Sequence, residues 1–377
     1  MSAEGRRAIR SLTTDSIQRN LRHFLCDDSA GPDAALAILS RADFVPDTFT
    51  VADRLNGRAP LSGAEPTGID WMREIVCGEL DRMRESGALE AGAEPGLEDA
   101  CAAETARFLA CRHHDAPIAE SITNQELPDV VRRIIAYCLF GDPAKELDTH
   151  QRFNTIGFEL ASRIIEDHML RSNPSTKELL AYSIAAGLIG LDLKGAAAAA
   201  SGFSVEGIRL AGVADRAVRN TAGPVWAELQ RIARAGLAVD HWDTFAAEIA
   251  ASNRRLVWFT DDYIESLFDL VLMQRLLVEY SGLSILLVPK KGRHANDLAY
   301  EDVDRFLESP WLQPLARERS TGRFQACPHG PRMGTVNLRK LSPELVRELA
   351  GDVTVYVKGC RAHELIQGGL NRISYTA

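Results

Sequence analysis

The chain has 377 residues, of which 46% are hydrophobic and 25% charged, and its formal net charge is -9. This length predicts two or three domains, and the composition excludes a disordered or fibrous chain. The acidic balance and the lack of a basic stripe argue against nucleic-acid binding, and no run of roughly 18 apolar residues predicts a membrane span. The seven cysteines form no CxxC pair and no secretory signal is visible, so we expect a cytoplasmic protein.

Helical periodicity dominates the first 245 residues. Apolar residues spaced for one helical face predict five helices, over residues 69–86, 99–112, 127–139, 158–170 and 175–189. The last of them opens with a Ser-Thr pair, which is typical of a helix N-terminus. We therefore expect residues 1–245 to form a mostly helical N-terminal region.

The pattern changes near residue 253, where short apolar segments begin to alternate with helical ones. Predicted strands cover residues 254–260, 283–288 and 353–357, and predicted helices cover residues 264–276, 300–307, 343–349 and a segment from 362. Alternating strands and helices imply βαβ crossovers and a parallel sheet covered on both faces. We therefore expect residues 246–377 to form an α/β domain.

Polar and charged residues follow each of these three strands. They are Asp261, Asp262 and Glu265 after the first strand, Asn296 and Asp297 after the second, and Lys358 and Glu364 after the third. Parallel strands place their carboxyl ends at one edge of a sheet, where open α/β folds bind their ligands. Clustered carboxylates repel one another unless a cation lies among them, and such oxygen ligands suit Mg²⁺, Mn²⁺ or another divalent ion. A lysine nearby suits an anionic group such as a phosphate.

A simpler interpretation applies to each of these residues taken alone. Asp261 or Asp262 would cap the helix that follows, because aspartate accepts hydrogen bonds from the first backbone amides and suits the positive end of the helix dipole. Asn296 or Asp297 would do the same for the next helix, and Asp269 would face solvent. Acidic residues follow two of the strands, and Lys-Gly follows the third. This combination favours a ligand site.

Several motifs in this part of the chain resemble those of one protein family. Residues 261–265 read DDYIE and residues 268–270 read FDL, where the family has approximately DNAGE and FDL. Asn296-Asp297 with the later Asp302, and Lys358-Gly359 with Glu364, resemble its second and third motifs. Residues 334–338 and 341–345 (GTVNL and LSPEL) are similar to a further stretch. On these motifs, within about residues 253–370, the chain resembles the metal-dependent damage-control phosphatases, first named domain of unknown function 89.

The resemblance implies a helical N-terminal region packed on a Rossmann-like parallel-sheet domain, with one divalent metal ion at the carboxyl ends of the strands. The implied metal ligands are Asp261, Asp262 and Asp297, and these residues with Lys358 would be the catalytic group. Lys358 would contact the substrate phosphate, and the substrate pocket would also include Glu265, Asn296 and Glu364. The ion would be Mn²⁺, Mg²⁺, Co²⁺, Ni²⁺ or Fe²⁺. The implied reaction is hydrolysis of a phosphate monoester of a small anionic metabolite, in which the metal activates both phosphate and water.

The chain departs from the family's first motif at three positions. Asp262 replaces an asparagine and adds a negative charge beside the expected metal, while Tyr263 and Ile264 replace Ala-Gly and would narrow the approach to it. These changes leave open a diverged member with another metal-dependent reaction in specialised metabolism, or a carboxyl methyltransferase that uses S-adenosylmethionine. A non-catalytic scaffold protein, with the helical region as its interface, is a further alternative. Arg293 and His294 are additional candidates for contact with an anionic substrate, and His294 also for metal binding.

Overall fold

A computed structural model describes residues 10–13, 15–17, 68–85, 89, 96–113, 115–123, 126–142, 144–192, 215–237, 240–250, 255–294, 296–337, 340–359 and 373–376. The described chain is rich in helix and contains a five-stranded parallel sheet. This confirms the predicted α/β class with a helical N-terminal region. The helix predicted from residue 362, and with it Glu364, lies outside the described residues.

Helices and one antiparallel ladder make up the described chain before the sheet. In chain order they are α1 (Gly68–Glu85), α2 (Leu97–Ala110), β1 (Arg112–His113), β2 (Ala116–Pro117), α3 (Leu127–Phe140), α4 (Ala144–Ile164), α5 (Thr176–Asp192), α6 (Asp215–Ala235) and α7 (Trp242–Ile249). Each of the five helices expected from periodicity is present. The helix expected at 158–170 is the end of α4, which continues into a π-helical turn at Ile165–Met169.

Local capping signals determine where two of these helices begin. Ahead of α5, the backbone amide of Ser175 donates to Oε2 of Glu178 at 2.8 Å, and the amide of Glu178 donates to Oγ of Ser175 at 3.2 Å. Thr123 and Glu126 form the same reciprocal pair ahead of α3, at 2.8 and 3.3 Å. The second pair bears on the site, because α3 carries Asp129 in its first turn.

The remaining described elements form the α/β part. In chain order they are β3 (Arg255–Phe259), α8 (Glu265–Glu279), β4 (Ser284–Val288), α9 (Val303–Leu307), α10 (Gln313–Ser320), β5 (Phe324–Ala326), α11 (Pro343–Leu349), β6 (Val353–Lys358) and β7 (Ile373–Thr376). The strands pair in the order β5-β4-β3-β6-β7, and every pair is parallel. The chain runs from β3 outward to β4 and β5, then returns to β6 on the other side of β3. Such a reversal of strand order is where open α/β sheets bind their ligands.

The three central strands of the sheet, β3, β4 and β6, are buried on both faces. Leu256 and Trp258 of β3 pack with helices α4 to α8, whereas the alternate residues Val257 and Phe259 pack with α11. The first of these clusters contains residues from both sides of position 245. The domain boundary expected between residues 245 and 246 stays a prediction, and a continuous core runs across it.

Helices α1, α2 and α3 share a second core. Met72 and Val76 of α1, Phe108 of α2 and Ile134 of α3 are fully or almost fully buried within it. Met333, from the loop between β5 and α11, packs into the same core and joins this three-helix body to the α/β part. None of the described helices is both long and apolar enough to cross a bilayer.

The elements that the sequence pattern did not predict include two strands of the parallel sheet and one long helix. Strands β5 and β7 have three and four residues and lie at the two edges of the sheet. Strands this short carry too few residues for a clear alternation of apolar and polar side chains. Helix α6 contains Pro224, a residue that usually marks the end of a helix.

Candidate active site

The three strands at the centre of the sheet end level with one another. Phe259, near the end of β3, pairs with Val288 of β4 on one side and with Val357 of β6 on the other. The segments that follow these strands therefore emerge side by side. Residues 260–262, 289–290 and 358–359 meet at one edge, as the sequence predicts.

Asp261 lies between the ends of the two neighbouring strands. Its Oδ1 is 3.9 Å from Nζ of Lys290, which follows β4. On the other side it packs against Gly359, which follows β6 and has a left-handed φ of +86°. A Cβ added at Gly359 would overlap the carboxylate of Asp261, so a glycine is required there for two separate reasons. The Asp261 side chain is 31% exposed, and Asp297 is also partly exposed, whereas Asp262 is buried.

Asp262 is buried and caps helix α8. Its Oδ1 accepts hydrogen bonds from the backbone amides of Ile264 at 2.7 Å and Glu265 at 3.2 Å. Its Oδ2 accepts a hydrogen bond from the side-chain amide of Asn296. Burial raises the pKa of Asp262 to about 7, and the nearby charges of Asp261 and Asp297 add to this rise. The capping interpretation is thus correct for this residue, which also lies in the predicted cluster.

The loop after β4 is tied to the loop after β3 by backbone hydrogen bonds. The amide of Tyr263 donates to the carbonyl of Asn296 at 2.7 Å, and the amide of Leu298 donates to the carbonyl of Asp261 at 2.9 Å. Between them, Asp262 and Asp297 form an isolated antiparallel bridge. Asp297 is therefore held directly beside Asp262, although a strand and a helix separate them in sequence.

Lys358 lies at the centre of a buried network. Its ammonium donates to Oδ1 of Asp269 at 2.8 Å, and to the carbonyl and Oγ of Ser183 in α5 at 3.0 and 3.1 Å. Oε2 of Glu265 lies 3.5 Å away. Burial alone would lower the pKa of Lys358, but Asp269 and Glu265 reverse this and raise it. The expectation that Asp269 faces solvent is wrong: it is fully buried and also accepts a hydrogen bond from Nε1 of Trp258 at 3.3 Å.

Glu265 connects this network to the aspartate cluster, which consists of Asp261, Asp262 and Asp297. Its Oε1 accepts from the backbone amide of Asp262 at 3.3 Å, while its Oε2 lies beside Lys358. A Cβ at Gly187 of α5 would overlap Oε2, which shows how closely that helix packs on the carboxylate. Burial raises the pKa of Glu265 well above its ordinary value, although Lys358 opposes the rise. Glu265 thus belongs to the interior wall of the site.

Lys290 is a residue of the site that sequence reasoning did not single out. It follows β4 at the position where Asp261 follows β3, and its side chain is fully buried. In the part of the chain that the structure describes, its Nζ has no hydrogen-bond partner. Burial and the charge of Lys290 lower the pKa of the neighbouring His329 to about 3. The signal available in the sequence was the position of Lys290 directly after a buried strand.

A second missed residue, Asp129, reaches the site from helix α3. Its Oδ1 lies 3.1 Å from Nε2 of His294, and its Oδ2 accepts from the backbone amide and the hydroxyl of Thr335, both at 3.0 Å. Gly334 packs so closely on His294 and Asp297 that a Cβ there would overlap the imidazole. Asp129 therefore fixes two loops that flank Asp297.

Two bulky residues of the first motif do not line the opening of the site. The Tyr263 ring packs edge-on against Phe306, with 4.7 Å between ring centroids. Ile264 fills the space that Gly157 of α4 leaves free. Both side chains are buried in the interior, so the expectation that they narrow the approach to a metal is wrong. Arg293, outside this core, is paired with Glu301 at 3.1 Å.

The chemistry of the aspartate cluster fits a hard divalent cation. Asp261, Asp262 and Asp297 offer oxygen donors only, and a cation would offset the repulsion from Asp261 and Asp297, which adds to the effect of burial on the pKa of Asp262. Within the described ranges, however, no three His, Cys, Asp or Glu side chains form a ready-made ligand group. Both oxygens of Asp262 accept hydrogen bonds in this arrangement. The ligand set stays a prediction, as do the substrate contacts of Asn296, Lys358 and Glu364.

Comparison with known proteins bears on the whole of this region. The family model of the damage-control phosphatase ARMT1-like domain matches residues 99–371, which is more than half of the chain. Among solved structures, a DUF89 family protein from Pyrococcus horikoshii is similar in fold, with a TM-score of 0.54 and 18% sequence identity. The match covers 80% of this chain and 89% of that one. The sequence has no match among curated proteins.

Proposed function

Because this chain belongs to the family of ARMT1-like damage-control phosphatase domains, we propose that it hydrolyses a phosphate monoester of a small anionic metabolite with the help of one divalent metal ion. One observation supports the proposal: Asp261, Asp262 and Asp297 lie near one another and beside a buried lysine at the carboxyl edge of a parallel sheet. Carboxylate oxygens are the donors that a hard cation prefers.

The aspartates would hold the ion, for which Mn²⁺, Mg²⁺, Co²⁺, Ni²⁺ and Fe²⁺ are the candidates. When bound, the ion polarises a phosphoryl oxygen and lowers the pKa of a water molecule. Asn296 orients Asp262 through its side-chain amide, and the N-terminus of α8 holds the other oxygen of the same carboxylate. Lys358 and Asp269 keep Glu265 in the interior wall through the buried network. We expect the substrate to enter from the side of the partly exposed Asp261.

A second candidate function is supported by the chemistry of Asp262, a buried carboxyl group that follows strand β3. A carboxyl group can hold or release a proton, as a general acid or base must, and burial raises the pKa of this one above its ordinary value. The asparagine that the family's motif has at this position cannot do so. A diverged member that uses Asp262 for proton transfer, in a metal-dependent reaction other than phosphate hydrolysis, is therefore the alternative.

Metal analysis and a substrate screen test the proposal together. The protein is purified without chelator, its metal content is measured, and turnover of a panel of phosphate monoesters is assayed with each of the five candidate ions. We expect about one bound ion per chain, in keeping with a single ligand set, and turnover that a chelator abolishes and the ion restores. Bound metal without turnover of any ester would favour the alternative. A chain that binds no metal at all would favour a scaffold protein.

A further inference from the structure

Two buried lysines, Lys290 and Lys358, lie at the carboxyl edge of the sheet, and their surroundings differ sharply. Lys358 follows the pattern of the family's phosphate-contacting lysine, whereas Lys290 lies on the other side of Asp261. We propose that Lys290, and not Lys358, supplies the positive charge that binds the anionic group of the substrate. The inference rests on the proposed function for the nature of that group, which is a phosphate.

Lys358 has no hydrogen-bonding capacity left for a ligand. An ammonium group has three donors, and those of Lys358 are directed to Asp269, to the carbonyl of Ser183 and to the hydroxyl of Ser183, all within 3.1 Å. The carboxylate of Glu265 supplies a second negative charge at 3.5 Å. Its charge is therefore compensated inside the protein, and binding a phosphate would require the network to be broken.

Lys290 is equally buried but is not satisfied. Its closest ionic neighbour is Oδ1 of Asp261, and 3.9 Å is beyond hydrogen-bond distance. Within the described residues its Nζ has no hydrogen-bond partner. Burying a charged group without hydrogen bonds is strongly unfavourable, so such groups persist mainly where function requires them. The missing partner of Lys290 has to be an acceptor, and an anionic one compensates its charge as well.

The position of Lys290 agrees with this assignment. Its Nζ lies 3.9 Å from the partly exposed Asp261, and it follows β4, one of the central strands of the sheet. Three carboxylates beside the site would repel an incoming anion, and a lysine here opposes that repulsion at short range. Its ammonium is buried beside Asp261, and we expect an anion to reach Lys290 when the Asp261 side chain turns to another rotamer.

The test compares phosphate binding with stability in Lys290→Met. Binding of inorganic phosphate is measured by calorimetry in the presence of Mn²⁺, and the thermal midpoint is measured on the same samples. We expect phosphate to bind at least about tenfold more weakly, the effect of losing one charge-assisted contact, with a thermal midpoint equal to or above that of the parent. The midpoint should not fall, because methionine replaces an unsatisfied charge with an apolar chain of similar length. Lys177→Met, at an exposed lysine paired with Asp240, is the matched control and should change neither quantity.

The outcomes separate this inference from the proposed function. Phosphate affinity within twofold of the parent in Lys290→Met would overturn the inference, and so would a parent protein that does not bind phosphate. If Lys290→Met does not fold, Lys290→Gln keeps a polar end and is measured instead; unfolding of both variants would show that Lys290 is structural and would also overturn it. A parent that binds phosphate through Lys290 but hydrolyses no ester would refute the hydrolase and leave the anion site standing.

Discussion

Nε2 of His294 lies 3.1 Å from Oδ1 of Asp129, which joins the loop after β4 to the first turn of helix α3. The same carboxylate holds Thr335 in the loop before α11. Asp297 lies in the first of these loops and packs against Gly334 in the second. The three-helix body therefore takes part in shaping the candidate site through the buried carboxylate of Asp129.

Removal of this carboxylate should reduce both stability and activity. In Asp129→Ala the backbone amide of Thr335 loses its acceptor while it stays buried, so the free energy of unfolding should fall by about 1–3 kcal/mol. Turnover should fall as well, because His294 and Gly334 no longer hold Asp297. Chemical denaturation and steady-state kinetics measure the two effects. Asp81→Ala, at an exposed aspartate of α1, is the control; equal effects in both variants would contradict the role of Asp129.

Asp297→Asn should abolish metal-dependent turnover while the protein stays folded. Asn keeps the size of the side chain and removes its charge, so the loops that carry it should retain their backbone hydrogen bonds. Metal affinity and turnover should each fall by at least roughly 100-fold. That is the upper range of the loss for a residue that only supports a metal ligand, and the loss of a ligand itself should be at least as large. Asp304→Asn, at an exposed aspartate in α9, should change neither. Normal metal content in Asp297→Asn would show that this residue is not a ligand.

Asp262→Asn should stabilise the metal-free protein, and the gain should depend on pH. The pKa of Asp262 is about 7 in the folded protein and near 3.8 when unfolded, so the unfolded chain releases this proton first. The free energy of unfolding of the parent should therefore fall progressively as pH rises from about 4 to 7, by up to about 1.4 kcal/mol per pH unit. Asparagine can still cap α8, and because it does not ionise it removes this loss of stability. The difference in unfolding free energy between variant and parent should be largest at pH 8 and should shrink towards pH 4.

The activity of Asp262→Asn separates the two candidate functions. If the protein is a phosphatase of the family's ordinary kind, restoring the family's asparagine should keep or raise turnover of phosphate esters. If Asp262 transfers a proton in a different reaction, turnover of the native substrate should be lost. Turnover of a phosphate ester and metal content, measured on variant and parent together, decide between them.

Lys358→Met should be destabilising, unlike Lys290→Met. It leaves Asp269 buried without its cation, and breaking a buried ion pair in this way costs about 3–5 kcal/mol. The double variant Lys358→Met with Asp269→Asn removes both charges and should recover much of the loss, since Ser183 can still donate to the amide oxygen. Thermal unfolding of the single and double variants measures the coupling. Additive losses would show that the two residues do not interact.

The sequence was sufficient to predict which residues lie at the strand ends. It was not sufficient to predict which residues surround them. Asp261, Asp262 and Asp297 could be grouped because each follows a buried apolar strand, and parallel strands bring such positions together whatever the helices do. The buried hydrogen bonds of Lys358 could not be predicted, because they depend on Ser183 and therefore on how α5 packs on α8. Asp269 was misjudged for the same reason: its spacing from Glu265 places it on one side of a helix but does not say what covers that side.

Asp129 escaped detection on different grounds. It lies in the first turn of an amphipathic helix, where an aspartate is common and usually solvated. Only the docking of α3 against the loops of the α/β part makes it a buried acceptor for groups far away in the chain. No local pattern carries that information.

The separate core of α1, α2 and α3 has a consequence for how this protein can change through evolution. Its apolar interior is distinct from the one that stabilises the sheet, so substitutions there need not disturb the aspartates. Small shifts of the three-helix body would still reach the loops around Asp297 through Asp129. Selection for new substrates can therefore act on a part of the chain that contributes none of the proposed metal ligands, while the chemistry at the sheet edge is preserved.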